Sequence, residues 1–159
     1  MPEVAIRSAN LADVPALVAL MAEFYTEAGF LLPTANATRA FRSLLADPRL
    51  GGIWLSAPQE AGAPPAGYVV LTVAYSMEYG GLRGFVDDLY VRPFERGLGV
   101  AAALLGAVRE ACSARGVRAL HVEVGPDNAT ARRVYARCGF VDSGHLLLTR
   151  ALAAPVHPA

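Results

Sequence analysis

Polar and apolar positions alternate with changing period along the chain, and the changes mark its elements. Glu3 to Arg7 predicts a short first strand. Asn10, with Asp13 three residues on, has the form of a helix start. Leu11, Val14, Leu17, Val18 and Met21 then recur at helical spacing, and this helix runs out near Glu27–Gly29. Thr34 to Ala46 predicts a second helix carrying Phe41, Leu44 and Leu45 and stopping before Pro48. Ile53 and Leu55 mark a strand, and the proline-rich stretch 57–66 a loop. Gly67 to Tyr75 is almost continuously apolar, as in a strand buried on both faces.

A turn at Tyr79-Gly-Gly-Leu leads into a strand from Leu82 to Val91. Gly97 to Ala114 predicts a long helix with Leu98, Ala101, Leu104, Leu105, Val108 and Cys112 on one side and Gly116 at its stop. A strand over Val117–Val124, a helix over Ala129–Cys138 and a last strand over Phe140–Arg150 complete the order β-α-α-β-β-β-α-β-α-β. Neighbouring strands early in the chain favour antiparallel hairpins, and the long helix favours a parallel crossover. A mixed sheet with helices on both faces follows. Residues 1–152 are expected to form one domain, with 153–159 a frayed tail.

Charge adds an asymmetry to this picture. Residues 1–91 hold five arginines and nine acids, a balance of −4, and residues 92–159 hold nine arginines and five acids, a balance of +4. There is no lysine. A net charge of zero argues against a general nucleic-acid binder. No apolar run approaches the ~20 residues of a spanning helix, so no membrane role is expected. Cys112 and Cys138 read as reduced core thiols of a cytoplasmic protein. No cluster has metal-ligand spacing, so no metal is expected.

The candidate chemistry begins where the acidic half meets the basic half. Arg96-Gly97-Leu98-Gly99-Val100-Ala101-Ala102 opens the long helix directly after a strand. Glycines at a helix start leave backbone N–H groups bare at the positive end of the dipole, a site for phosphate or pyrophosphate. The weak G-x-G-x-x-A dinucleotide pattern is matched, but five residues separate Val91 from Gly97 and antiparallel strands come first, against a repeated βαβ unit. No Gly-Lys-Ser/Thr of a Walker loop is present.

Two motifs together resemble the GNAT superfamily of acyl-CoA-dependent N-acyltransferases. Arg96-Gly-Leu-Gly99-Val-Ala101 matches [Q/R]-x-x-G-x-[G/A], and Asn128, Ala131, Tyr135, Gly139 and Phe140 match N-x-x-A-x-x-x-Y-x-x-x-G-F. The resemblance spans essentially the whole chain. It implies an α/β (α+β) GNAT fold, with a mostly antiparallel sheet of six to seven strands.

It also implies acetyl-CoA as donor. The pyrophosphate would rest on the amides from Arg96 to Ala102, and the pantetheine arm along Leu89, Tyr90 and Val91 beside a bulge, with Asn128, Ala131 and Tyr135 adding contacts. Arg92 and Arg96 could add charge near the phosphates.

The acceptor is expected to be a primary amine that attacks the thioester directly. On the order of one amine in a thousand is neutral at pH 7, a cost of roughly 4 kcal/mol, so a carboxylate that removes the proton helps. Asp87 and Asp88 are the candidates, Asp87 first. Strand alternation puts Asp87 on the face of Leu89 and Val91, and Asp88 with Tyr90. Tyr135 falls where the family places an acid for the departing thiolate.

Glu23 and Tyr25 at the first helix end, and Tyr75 and Tyr79 at a strand end, are candidate acceptor walls, suited to an organic cation. A small polyamine-like or amino-acid-like amine leads, with a protein N-terminus or lysine as alternative. A non-catalytic acyl-CoA sensor is the alternative of another class, and a homodimer is allowed by the resemblance.

Overall fold

A computed structural model describes residues 4–58 and 60–155. Strand β1 (Ile6–Ser8) leads through a 3-10 turn into helix α1 (Val14–Glu27). The turn carries the expected capping box: Asn10 Oδ1 accepts from the Ala12 amide at 2.9 Å, and Asp13 Oδ2 from the Asn10 amide at 2.8 Å. Helix α2 (Thr34–Ala46) follows, then strands β2 (Gly51–Ser56), β3 (Gly67–Ser76) and β4 (Gly81–Val91), helix α3 (Val100–Ala114), strand β5 (Ala119–Val122) and helix α4 (Ala129–Arg137). The sheet order is β1-β2-β3-β4-β5. All pairs are antiparallel except β4 with β5, which the α3 crossover makes parallel.

Apolar positions on the two faces of the sheet make two cores. Val14, Leu17, Leu20, Met21 and Tyr25 of α1 and Phe41 of α2 pack with Ile53, Leu55, Tyr68, Val70 and Tyr90. On the other face Val100, Leu104, Leu105, Val108 and Cys112 of α3 pack with Val69, Leu71, Val86 and Val91. Adjacent residues of β3 thus serve opposite cores, which is why that strand reads as one apolar run. Leu17 and Leu20 are wholly buried; each stabilises the fold by about 1.5–3 kcal/mol, and truncation of Leu17 to Ala costs about 2–5 kcal/mol.

The start of β3 is fastened to the end of β2 and lies close against the end of β4. The buried Ser56 hydroxyl accepts from the Ala66 and Gly67 amides at 2.8 and 3.0 Å. A Cβ on Gly67 would lie 2.4 Å from the Tyr90 carbonyl oxygen, so the backbones meet there only because residue 67 is glycine.

The expected sheet of six to seven strands is corrected to five among the described residues. Phe140–Arg150 forms no strand: it pairs with no described strand, and Val141, Leu146, Leu147 and Leu148 lie exposed. β5 is also shorter than the predicted 117–124. Glu3, expected to open β1, and residues 156–159 of the expected tail lie outside the described residues.

Candidate active site

The regular alternation expected of β4 breaks at its acids. Leu71 pairs with Val86 and the next residue back, Val70, pairs with Asp88, so Asp87 is a surplus residue in a β-bulge. Val86 therefore serves the α3-side core, whereas Tyr90, two residues beyond Asp88, serves the α1–α2 side. Asp88 lies on that second side. Its Oδ2 accepts a hydrogen bond from the Tyr68 hydroxyl at 2.9 Å.

Both carboxylates act on the same phenols. Burial, then Asp88 and Asp87, push Tyr25 up to about 12. Burial and the same acids raise Tyr68 further. Asp87 has exposed surface overall, yet its carboxyl is walled in enough that desolvation raises it above the usual carboxylate range.

Beyond the bulge the sheet opens. β5 pairs with β4 only from Arg83 to Val86, so β4 from Asp87 to Val91 is paired to β3 alone. The second edge of Leu89, Tyr90 and Val91 is left to the cleft. There the Val91 carbonyl accepts from Arg96 Nε at 2.9 Å.

Directly across stands the start of α3. Gly97 and Gly99 have φ of +79° and +86°, and a Cβ on either would meet nothing within 4 Å. Their glycine identity thus answers to backbone conformation and to the open space before them, not to packing. Gly99 is the N-cap and offers no side chain, and the first α-helical bond runs from the Ala103 amide to the Gly99 carbonyl at 3.0 Å. The amides of Val100, Ala101 and Ala102 precede that bond, so the helix itself gives them no acceptor. Leu98, between the glycines, is about half exposed. This concave, positive helix end suits a diphosphate.

Arg92 and Arg96 turn toward α1. Arg92 holds Glu23 in a two-point contact of 2.9 and 2.7 Å, which keeps the Glu23 carboxyl below its usual range. Arg96 bonds Glu27 at 2.6 Å and lies 5.8 Å over the Tyr90 ring. Glu23 and Glu27 line an open groove of about 440 Å³ with Ala22, Thr26, Tyr90 and Pro93. The acidic and basic halves of the chain meet in these pairs.

On α4, Asn128 Oδ1 caps the Ala131 amide at 3.1 Å. Tyr135 packs edge-on to Phe140, with ring centroids 5.5 Å apart. Burial raises its phenol, with further contributions from Asp88 and Cys138. Asp88 is thus bonded to Tyr68, and its charge adds to the upward shifts of Tyr25 and Tyr135.

Tyr75 and Tyr79 do not join this group. Tyr75 pairs with Leu82 at the other end of β3, five residues or about 17 Å from Val70. It borders a separate groove of about 690 Å³ with Pro48, Arg49 and Arg115. The Tyr79 ring lies 5.9 Å from that of His121. Tyr68 is the site residue that sequence reasoning missed. Inside an apolar run a tyrosine reads as core, and only its hydrogen bond to Asp88 distinguishes it. No metal-binding cluster occurs among the described residues.

A sheet parted beside a glycine-opened helix sets a free strand edge next to an anion-binding helix start, the combination that suits an extended, phosphorylated ligand. The chain belongs to the Acetyltransferase (GNAT) family, whose model matches residues 15–140. It is 29% identical over 150 residues to the L-methionine sulfoximine/L-methionine sulfone acetyltransferase of Pseudomonas paraeruginosa, covering 89% of this chain and 82% of that one.

Among solved structures, an integron cassette protein from the mobile metagenome of Cole Harbour Salt Marsh is 54% identical with a TM-score of 0.86, covering 95% of this chain and 92% of that one. AAC(6')-Iy in complex with a CoA-linked bisubstrate analogue shares the fold at 18% identity, with a TM-score of 0.79 over 95% and 99% of the two chains. The protein is an acyl-CoA-dependent N-acetyltransferase, and acetyl-CoA is its cosubstrate. No helix among the described residues is long and apolar enough to cross a membrane.

Proposed function

We propose that the protein acetylates the primary amine of a small amino-acid-like molecule by direct attack within a ternary complex. The observation that carries this reading is the pair of acids at the parting of the strands, Asp88 held by the Tyr68 hydroxyl at 2.9 Å beside the surplus residue Asp87. The cosubstrate would lay its diphosphate on the amides of Val100, Ala101 and Ala102 and its pantetheine arm on the free edge of Leu89–Val91. It supplies an activated acetyl thioester. The amine's lone pair forms the new C–N bond as the C–S bond breaks, and the amine's proton must leave.

Asp87 is the proton acceptor in this reading. A carboxylate raised by desolvation sits closer to the operating pH, which makes it a better base than an ordinary carboxylate. Asp88, fixed by Tyr68, holds the ammonium group before attack. Tyr135 returns a proton to the thiolate. Its raised pKa keeps the phenol protonated at neutral pH, so it is loaded for that step.

The amino-acid-like acceptor class rests on the relative acting on methionine sulfoximine and sulfone. A panel of amino-acid analogues, those two compounds, polyamines and short peptides, incubated with acetyl-CoA and read by product mass, tests the reading. Acetylated amino-acid analogues are expected. Turnover confined to peptides would overturn the acceptor class, and tight CoA binding without turnover on any amine would overturn catalysis.

A further inference from the structure

Upstream of the bulge, the face of β4 that carries Asp88 also carries an arginine without a partner. Gly84 looks toward Leu71, Leu120 and Cys112 of the α3-side core. Its neighbours Arg83 and Phe85 therefore turn to the opposite face. Phe85 pairs with His121, and Leu120 before it belongs to the α3-side core, so His121 stands on the face of Phe85. Past the surplus residue, Asp88 and Tyr90 continue that same face.

Arg83, Phe85 and His121 are half-buried and lie together. The Arg83 guanidinium carbon is 5.3 Å from the centre of the Phe85 ring, and the His121 ring centre is 5.1 Å from it. Arg83 Nε and His121 Nε2 are shut off from solvent, yet neither has a hydrogen-bond partner among the described residues. The ion pairs among those residues use Arg7, Arg49, Arg92 and Arg96, and Arg83 is in none of them. A guanidinium that gives up water and gains no acceptor is costly, and folding alone gives no return for it. An anion bound against it removes the cost.

The spacing says which anion. Phe85 pairs with Thr72 and Asp88 with Val70. The ring beneath the guanidinium and Asp88 are thus two ladder steps apart, about 7 Å. A molecule with an ammonium group at Asp88 and an anion at Arg83 has its two charges only a few atoms apart, as an α-amino acid does. We infer, on the basis of the amino-acid-like acceptor proposed above, that Arg83 receives the carboxylate of that acceptor, with His121 beside it. The guanidinium edge matches two carboxylate oxygens, the Phe85 face holds it in place, and His121 Nε2 adds a donor when it carries the ring proton. The enzyme then selects free amino acids over their amides and over amines that lack the carboxyl group.

The test compares L-methionine sulfone with its carboxamide as acceptors, with acetyl-CoA as donor. The amine of the amide is the less basic and more often neutral, so without a carboxylate site the amide is the better acceptor. Wild type should instead show a kcat/KM for the free acid higher by about tenfold to a hundredfold. Arg83→Gln should erase that preference, chiefly through KM, while its melting shift with acetyl-CoA reports that the variant is folded. Calorimetry on protein loaded with CoA supplies a readout without turnover. There the acid should bind more tightly than the amide to wild type, and equally to Arg83→Gln.

Acetylation without preference for the acid, or a preference that survives Arg83→Gln, would overturn the carboxylate site and leave the acceptor class standing. No turnover on either compound would remove the acceptor class, and calorimetry then judges the site alone. Binding of the acid that depends on Arg83 would sustain the site, and binding that does not, or none, would overturn it.

Discussion

Gly99 offers the sharpest test of the phosphate cradle, because its two possible roles separate in one experiment. With φ at +86° and open space around its missing Cβ, Gly99→Ala suffers no clash and pays only for holding an L-residue in the left-handed region, about 1–2 kcal/mol. For a chain of this length that lowers Tm by about 2–8 °C. Gly106 is the control: it lies in mid-α3 with equally open space and no positive φ. Gly106→Ala should therefore raise Tm slightly, by about 0.5–1 kcal/mol of stability.

The ligand then discriminates. At a hundred times its Kd, acetyl-CoA should stabilise the wild type by about 2.7 kcal/mol, or about 5–11 °C. Gly99→Glu places a carboxylate where the diphosphate would lie and should erase that shift, while Gly106→Ala should keep it whole. Thermal melts with and without acetyl-CoA read all of these. If Gly99→Glu loses stability but keeps the full ligand shift, the glycine serves only the backbone and the cradle assignment fails.

Three further substitutions probe the chemistry. Tyr135→Phe should lower kcat about 10–100-fold with little change in acetyl-CoA affinity, and an unchanged kcat in steady-state assays would remove its acid role. Asp87→Asn should lower kcat/KM by about a hundredfold or more and abolish an acid limb lying above the ordinary carboxylate range. Because the folded pKa is raised, ionising Asp87 costs stability as pH rises through that range. Asp87→Asn should thus melt higher than wild type at pH 7, with the gain fading below the unfolded carboxylate pKa of about 4; equal melting at pH 7 would contradict the desolvation. Tyr68→Phe removes the donor to Asp88 and should cost about 1–3 kcal/mol in denaturant titrations, with KM for the amine rising more than kcat falls.

The helices were legible because their apolar positions recur at one period and bury on one side, as Val14, Leu17 and Met21 do, and β3 because it is apolar on both faces. The helix-start glycines were legible for a different reason, since their bareness is itself the signal. The resemblance implied a bulge near Val91, but its place at Asp87 was not legible: a two-residue period has no mark for a surplus residue, and only the pairing of Val70 and Leu71 reveals it. The attachment of Arg92 and Arg96 to Glu23 and Glu27 spans 69 positions, beyond any local pattern. Phe140–Arg150 was misjudged because a strand pattern states what a segment can pair with and is silent on whether a partner is at hand.

The bulge also bears on how such a site can come and go in a lineage. Asp87 is an extra residue, and without it Val86 and Asp88 would follow one another in plain alternation, with Leu89, Tyr90 and Val91 keeping their faces. The proposed base therefore stands outside the alternation and does not give over a core position to an acid. A single-codon deletion would remove it and leave both cores in register, so the reaction could be discarded, or acquired, without asking the fold to change.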